Sequence, residues 1–106
     1  MDTASAAPRT VGIVGLGLIG GSFARAYRDA GWTVYAHDTD ADTLAIALID
    51  VASGRLTDDT IPSCDLIVLS AYPGACIEWL RAHAEGIGRA AQAGRAPVVI
   101  DAAGVK

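Results

Sequence analysis

The stretch Val11-Gly-Ile-Val-Gly-Leu-Gly-Leu-Ile-Gly-Gly-Ser-Phe-Ala-Arg-Ala26 carries five glycines among its first eleven residues, in an otherwise apolar setting. Glycine weakens a strand and a helix alike, so a cluster of this kind marks either a flexible loop or a backbone that must come close to something. The flanks decide between the two. Arg9-Thr-Val-Gly-Ile-Val14 is a short, β-branched, apolar run bounded by glycine, which predicts a buried strand. Beyond Gly17, Ile19, Phe23, Ala26 and Ala30 recur at helical spacing, and Gly31 stands where a helix C-terminal cap belongs. The glycines therefore sit on a strand-to-helix turn, with the spacing Gly15-Leu16-Gly17-Leu18-Ile19-Gly20.

That placement gives each glycine a separate task. Gly15 permits the tight turn, Gly17 lets the backbone approach a pyrophosphate without a Cβ in the way, and Gly20 lets the helix pack closely on the strand. A helix N-terminus adds N–H donors and the positive end of the helix dipole, both suited to a diphosphate. The companion signal is Asp38, eighteen residues after Gly20, at the end of the strand Thr33-Val-Tyr-Ala-His-Asp38. An acid there accepts hydrogen bonds from the adenosine ribose hydroxyls and repels a 2′-phosphate. The next residue is Thr39 and not an arginine, so NAD is favoured over NADP. Leu16, Leu18, Ile19 and Thr39 join the glycines and Asp38 as candidate cofactor contacts.

The rest of the chain repeats the alternation. Asp40 predicts the N-cap of a second helix reaching about Val51, stopped by Ser53-Gly54. Residues 55–62 are polar and fit either a short strand or an irregular connection. Leu66 to Ser70 reads as a third strand, and Pro73 opens a helix with Ile77, Leu80 and Ala84 on one face. Gly86, Gly88 and Gly94 punctuate a further alanine-rich helical piece, and Ala96 to Asp101 is the last strand. Strands alternating with helices imply right-handed crossovers and a doubly wound parallel sheet, Rossmann-like, with helices on both faces and strands covered on both sides. Ligands in such sheets lie outside the carboxyl ends of the strands, which places Ser70, Ala71 and Tyr72 on the opposite bank of the crevice from the glycine loop.

Composition bounds the alternatives. The chain has 106 residues, 52% hydrophobic and 19% charged, with a net charge of −4. One folded domain is expected over residues 10–106, preceded by a loose terminus over 1–9. The acidic balance and the lack of any Lys/Arg run argue against a nucleic-acid partner. The longest uncharged run, Thr10 to Ala24, is too short to cross a bilayer and is broken by glycines. No membrane partner and a cytoplasmic location are expected. Cys64 and Cys76 have no metal-ligand spacing and read as reduced, buried side chains, so no metal site is predicted.

The quoted loop, together with Val34–Leu48, Cys64–Leu80 and the closing Val98-Val-Ile-Asp-Ala-Ala-Gly-Val-Lys106, resembles the NAD(P)-binding half of the prephenate/arogenate dehydrogenase family. Two segments carry the resemblance: Gly-Leu-Gly-Leu-Ile-Gly-Gly-Ser, and Asp101 to Lys106 as a form of Asp-x-x-(Ser/Gly)-Val-Lys. It implies oxidative decarboxylation of prephenate or arogenate in tyrosine biosynthesis. NAD⁺ takes hydride from the ring carbon bearing the hydroxyl, carbon dioxide leaves and the ring aromatises. It also implies a histidine in a His-Pro-x-Ala-Gly segment, an assisting serine, and a helical C-terminal domain that completes the substrate pocket and forms a homodimer. The chain departs from that pattern. It ends at Lys106, before the histidine's place, and Gly104 stands where the serine would be. His37 and His83 match no catalytic position and read as ordinary histidines. The expectation is a chain that binds cofactor without turnover, with no catalytic residue of its own. Trp79, off the Ile77/Leu80/Ala84 face, and the nearly all-apolar second helix (Leu44, Ile46, Leu48, Ile49, Val51) fit a covered surface. Ile46 and Ile49 fit equally well beneath the 55–62 connection.

Two alternatives stay open. β-Hydroxyacid dehydrogenases and pyrroline-carboxylate reductases open with the same strand, glycine loop and helix. A stand-alone nucleotide-binding module would also lack an acid–base pair in the crevice.

Overall fold

A computed structural model describes residues 9–102. The N-terminal segment 1–8 and residues 103–106, with Gly104 and Lys106, lie outside the described residues. Five strands, β1 (Thr10–Val14), β2 (Thr33–His37), β3 (Gly54–Arg55), β4 (Leu66–Leu69) and β5 (Val98–Asp101), form one sheet in the order β3-β2-β1-β4-β5. Every neighbouring pair is parallel. The helices are α1 (Leu18–Asp29), α2 (Ala41–Asp50) and α3 (Pro73–Gln92), and a 3₁₀ turn spans Ile61–Ser63. No helix of the described residues is long and apolar enough to cross a membrane.

Strand alternation divides the core into two layers. Val11 and Ile13 of β1, Val34 and Ala36 of β2, and Val68 of β4 pack with Leu16, Ala24 of α1, and Leu44 and Ala47 of α2. On the other face Val14, Ile67 and Leu69 meet Leu56, Ile61 and Cys64 from the connection between β3 and β4, and Cys76 and Trp79 from α3. Gly12 lies on this second face because a Cβ there would come within 2.8 Å of the Leu56 side chain. Neither Cys64 nor Cys76 is in a disulfide, and both are buried. Burial, aided by the nearby Asp65 carboxylate, pushes the Cys64 thiol up to about 12, so this sulfur stays protonated and unreactive at ordinary pH.

The caps explain the helix limits. Asp40 accepts from Asp42 N at 3.3 Å and from Thr43 Oγ1 at 2.7 Å, starting α2. Gly31 at φ +92° follows the last turn of α1, and Gly94 at φ +75° follows α3.

Five expectations need correction. α3 is one continuous helix of 20 residues through Gly86 and Gly88, not two pieces. Gly86 is buried in its interior, where a Cβ would stand 2.9 Å from Asp58 Oδ1, so this glycine lets a loop approach instead of ending the helix. Its inward face runs through Cys76, Trp79, Gly86 and Ala90. Trp79 is only 4% exposed, while Ile77 points out at 50%. The large indole fills the second core layer and meets the His83 ring in a tilted arrangement, 4.7 Å between ring centroids. In α1 the buried positions are Gly20 and Ala24, flanked by half-buried Phe23 and Tyr27, and the expected stripe at Ile19, Ala26 and Ala30 is rotated outward. Small residues win the inner positions because this helix crosses β1 closely. Ile46 and Ile49 of α2 are 65% and 89% exposed, which rules out their lying beneath the 55–62 connection. The connection itself supplies β3 and the 3₁₀ turn. Finally, β5 is exposed along its whole length, with Val98 at 62%. As an edge strand it has one neighbour, and no described helix covers it.

Candidate functional site

Three chain segments meet at the carboxyl ends of β1, β2 and β4, the two strands flanking β1 being its immediate neighbours. This is the switch point of the sheet, where connections leave to opposite faces. The chain turns there because Gly15 adopts φ +93°, a region L-residues with a side chain rarely enter. A Cβ on Gly15 would also come within 2.7 Å of Ala71 N. Gly20, buried on the inner face of α1, leaves no room either: a Cβ would overlap the Gly15 carbonyl oxygen and stand 2.6 Å from Ser70 Oγ. Gly15 and Gly20 are thus explained by the protein's own packing.

Gly17 is not. It is the N-cap of α1, exposed, with φ −66°, and a Cβ added to it meets nothing within 4 Å. No backbone strain and no neighbouring atom requires glycine here. What a side chain would fill is the open space in front of the first turn of α1. No side chain caps that turn, and it holds no acidic residue, so its N–H groups and positive dipole end are left to an anion. A cradle that a Cβ would obstruct, at an uncapped helix start, is the geometry a dinucleotide pyrophosphate needs. Leu18 and Ile19 continue the rim at 94% and 50% exposure. Along the outer side of α1, Leu18, Ile19, Ser22, Phe23 and Ala26 line a shallow apolar cavity of about 440 Å³.

Asp38 lies directly after β2, half-buried, and is already engaged. Its Oδ2 accepts from Leu16 N and its Oδ1 from Asp40 N, both at 2.8 Å. Each carboxylate oxygen retains a lone pair for a further donor such as a ribose hydroxyl. Thr39 is exposed beside it. His37, the last residue of β2, gives its carbonyl to Gly15 N at 2.8 Å. Burial lowers the pKa of its ring, and the positive charge of nearby His83 adds to this, while Asp38 opposes it. The native ring therefore stays neutral where an unfolded one protonates. Below the ordinary value of 6.5 the unfolded state binds more protons, so stability is expected to fall as pH drops through that value. Urea midpoints measured between pH 7 and 5 check this, with a flatter profile expected for His37→Gln. His83 itself lies 2.7 Å from Asp58 Oδ1.

On the opposite bank, Ser70 turns its hydroxyl to the loop, donating to Gly15 O at 2.8 Å with Val14 O at 3.1 Å. Ala71 abuts Gly15, and Tyr72, 81% exposed, caps α3. The sequence pattern places Ser70 at this bank as a cofactor contact but does not reveal its bond to the loop. Its position one residue past β4, the strand beside β1, is the signal that could have done so.

The fold recurs in solved structures. An imine reductase from Bacillus cereus BAG3X2 superposes with a TM-score of 0.68 at 17% identity, over 88% of this chain and 31% of that one. A Mycobacterium tuberculosis 3-hydroxyisobutyrate dehydrogenase gives 0.63 at 12% identity, over 90% and 40%. A D-lactate dehydrogenase from Sporolactobacillus sp gives 0.51 at 31% identity, over 60% and 18%. The chain thus spans well under half the length of each. No curated protein matches it in sequence. Nothing in these likenesses singles out prephenate or arogenate as substrate; what they show is the shared fold. A family model, the NAD binding domain of 6-phosphogluconate dehydrogenase, matches residues 10–106. With the glycine cradle, the uncapped helix start and the carboxylate after β2 in place, the chain belongs to that family of NAD-binding domains.

Proposed function

We propose that this chain is the cofactor-binding part of an NAD-dependent oxidoreductase of the β-hydroxyacid dehydrogenase and imine reductase type. The observation that carries the reading is Gly17, a glycine that no atom among the described residues requires. The pyrophosphate would lie against Gly15-Leu16-Gly17 and the first turn of α1, at Leu18, Ile19 and Gly20. Asp38 and Thr39 would take the adenosine ribose, and Ser70 to Tyr72 would border the nicotinamide side. The bound dinucleotide supplies the hydride acceptor; the residues here bind and orient it. The substrate pocket, the catalytic acid–base group and any dimer contact would come from a further domain. The cofactor family and the names of the similar structures support this type.

A second reading, prephenate or arogenate dehydrogenase, is favoured by the wording Gly-Leu-Gly-Leu-Ile-Gly-Gly-Ser and by Asp101 to Lys106. A His-Pro-x-Ala-Gly segment in the reading frame downstream would select it; a substrate domain without that segment would select the first.

Calorimetric titration of the chain with NAD⁺ and with NADP⁺ tests the cofactor reading. NAD⁺ is expected to bind at least ~10-fold tighter, about 1.4 kcal/mol, and Asp38→Ala to abolish that preference. A folded chain that binds neither dinucleotide would remove the proposal.

A further inference from the structure

The carbonyl held by Ser70 and the N–H held by Asp38 belong to one peptide group. Ser70 Oγ donates to Gly15 O at 2.8 Å, and Leu16 N donates to Asp38 Oδ2 at 2.8 Å. These are the opposite ends of the planar Gly15–Leu16 unit. We propose that Asp38 and Ser70 act together as positioning residues that latch this peptide in one orientation, and that the latch sets dinucleotide affinity independently of any contact with ribose. The proposal rests on reading the crevice as a dinucleotide site.

A latch is needed because the peptide follows Gly15. Without a Cβ, Gly15 has access to conformations on both sides of φ, and its present +93° is only one of them. Rotation of the peptide plane would interchange the N–H and the C=O. The two partners respond differently to that rotation. An ionised Asp38 is acceptor-only, so a carbonyl turned towards it would be repelled. A serine hydroxyl donates or accepts, and so tolerates either orientation. Asp38 therefore selects the orientation, and Ser70 tightens it. Two further contacts share the consequence. Gly15 N is held by His37 O at 2.8 Å, and the Gly15 oxygen lies against the Cα of Gly20 so closely that no Cβ fits. The second oxygen of Asp38 is bonded to Asp40 N, at the cap of α2. The carboxylate is thereby anchored to the frame and not only to the loop it holds. The direction of the Gly15–Leu16 peptide fixes where the backbone of Leu16 and Gly17 enters α1, and hence the shape of the cradle.

The test uses Ser70→Ala, Ser70→Thr and Asp38→Asn, with amide hydrogen exchange by NMR on the ligand-free chain and titrations with NAD⁺, NADP⁺ and ADP. Ser70→Ala is expected to speed exchange at the Leu16 amide roughly tenfold, with the central amides of β1 and β2 unchanged. It is expected to weaken all three ligands by a common factor of about ten, leaving the NAD⁺/NADP⁺ ratio unaltered. Ser70→Thr, which keeps the hydroxyl, is expected to restore both. Asp38→Asn is the sharper variant: nearly the same shape, but its amide can donate to a reversed carbonyl, so Leu16 exchange is expected to rise there as well. Unchanged Leu16 exchange in Ser70→Ala and Asp38→Asn overturns the latch, as does a wild-type chain that binds NAD⁺ no better than Ser70→Ala. A wild-type chain that binds no dinucleotide overturns the cofactor reading and the affinity half of the proposal. Its exchange rates would still report whether the peptide is latched.

Discussion

Gly20→Ala is expected to destabilise the fold by about 3 kcal/mol, at the upper end of what one added methyl in a packed interior costs. The added Cβ would overlap the Gly15 carbonyl oxygen, stand 2.9 Å from the Gly15 carbonyl carbon and 2.6 Å from Ser70 Oγ. None of these is the loose end of a flexible side chain. Relief requires α1 to move off β1, opening the layer in which Ala24 packs against Val11, Ile13 and Val68. Alternatively the Gly15–Leu16 peptide must turn, which breaks the bonds to Ser70 and Asp38. Either route also disturbs the loop proposed to face the cofactor. Denaturant unfolding should show a lower midpoint with an unchanged slope, and the variant should lose dinucleotide affinity along with stability.

Gly17→Val is expected to behave in the opposite way. The site is exposed, its φ of −66° suits any residue, and a Cβ meets no atom within 4 Å. Its unfolding midpoint should therefore stay close to that of the wild type. Dinucleotide affinity should fall by at least ~100-fold, about 2.7 kcal/mol, because the side chain stands where the backbone must reach a pyrophosphate. The pair of variants separates two reasons for glycine that look identical in the sequence. One glycine serves the protein's packing, and the other is proposed to serve a molecule that is not part of the chain. Equal affinity in Gly17→Val and wild type would show that the space before α1 is not a ligand seat.

The comparison of sequence with structure follows the same division. The element order and limits of the first crossover were legible. A β-branched run, glycines at fixed spacing, a helical stretch and an acid ending the next strand are local signals, and each fell within a residue of its place. The inner face of α1 was not legible, because close helix–strand approach buries Gly20 and Ala24, residues that a hydrophobic pattern does not weigh. The face of α3 was missed for a related reason. Ile77, Leu80 and Ala84 make a plausible stripe, yet one indole at Trp79 offers far more area to bury, and its position rotates the helix about its axis. Gly86 reads as a breaker because the Asp58 loop that needs its small size is distant in sequence. The exposure of β5 is equally invisible locally, since an edge strand and a central one of a parallel sheet carry the same apolar wording. At the site, the place of Asp38 directly after β2 could be read from position alone. Its bond to Leu16, and that of Ser70 to Gly15, could not, because they depend on three strand ends converging.

The central position of β1 also fixes the order in which the chain can gain cooperative structure. Its one neighbour, β2, is reached through a single helix, but the other pairs Val11 with Leu66, across more than half of the chain. Until β4 emerges, the most buried strand of the sheet has one open side, and the loop latch has only one of its two partners. Folding of this topology is therefore dominated by a late, non-local closure, the kind of contact that slows the search and makes the transition all-or-none. During synthesis the glycine loop leaves the ribosome before β2 and β4, the two strands whose ends complete it, so it acquires its final geometry only after both have followed.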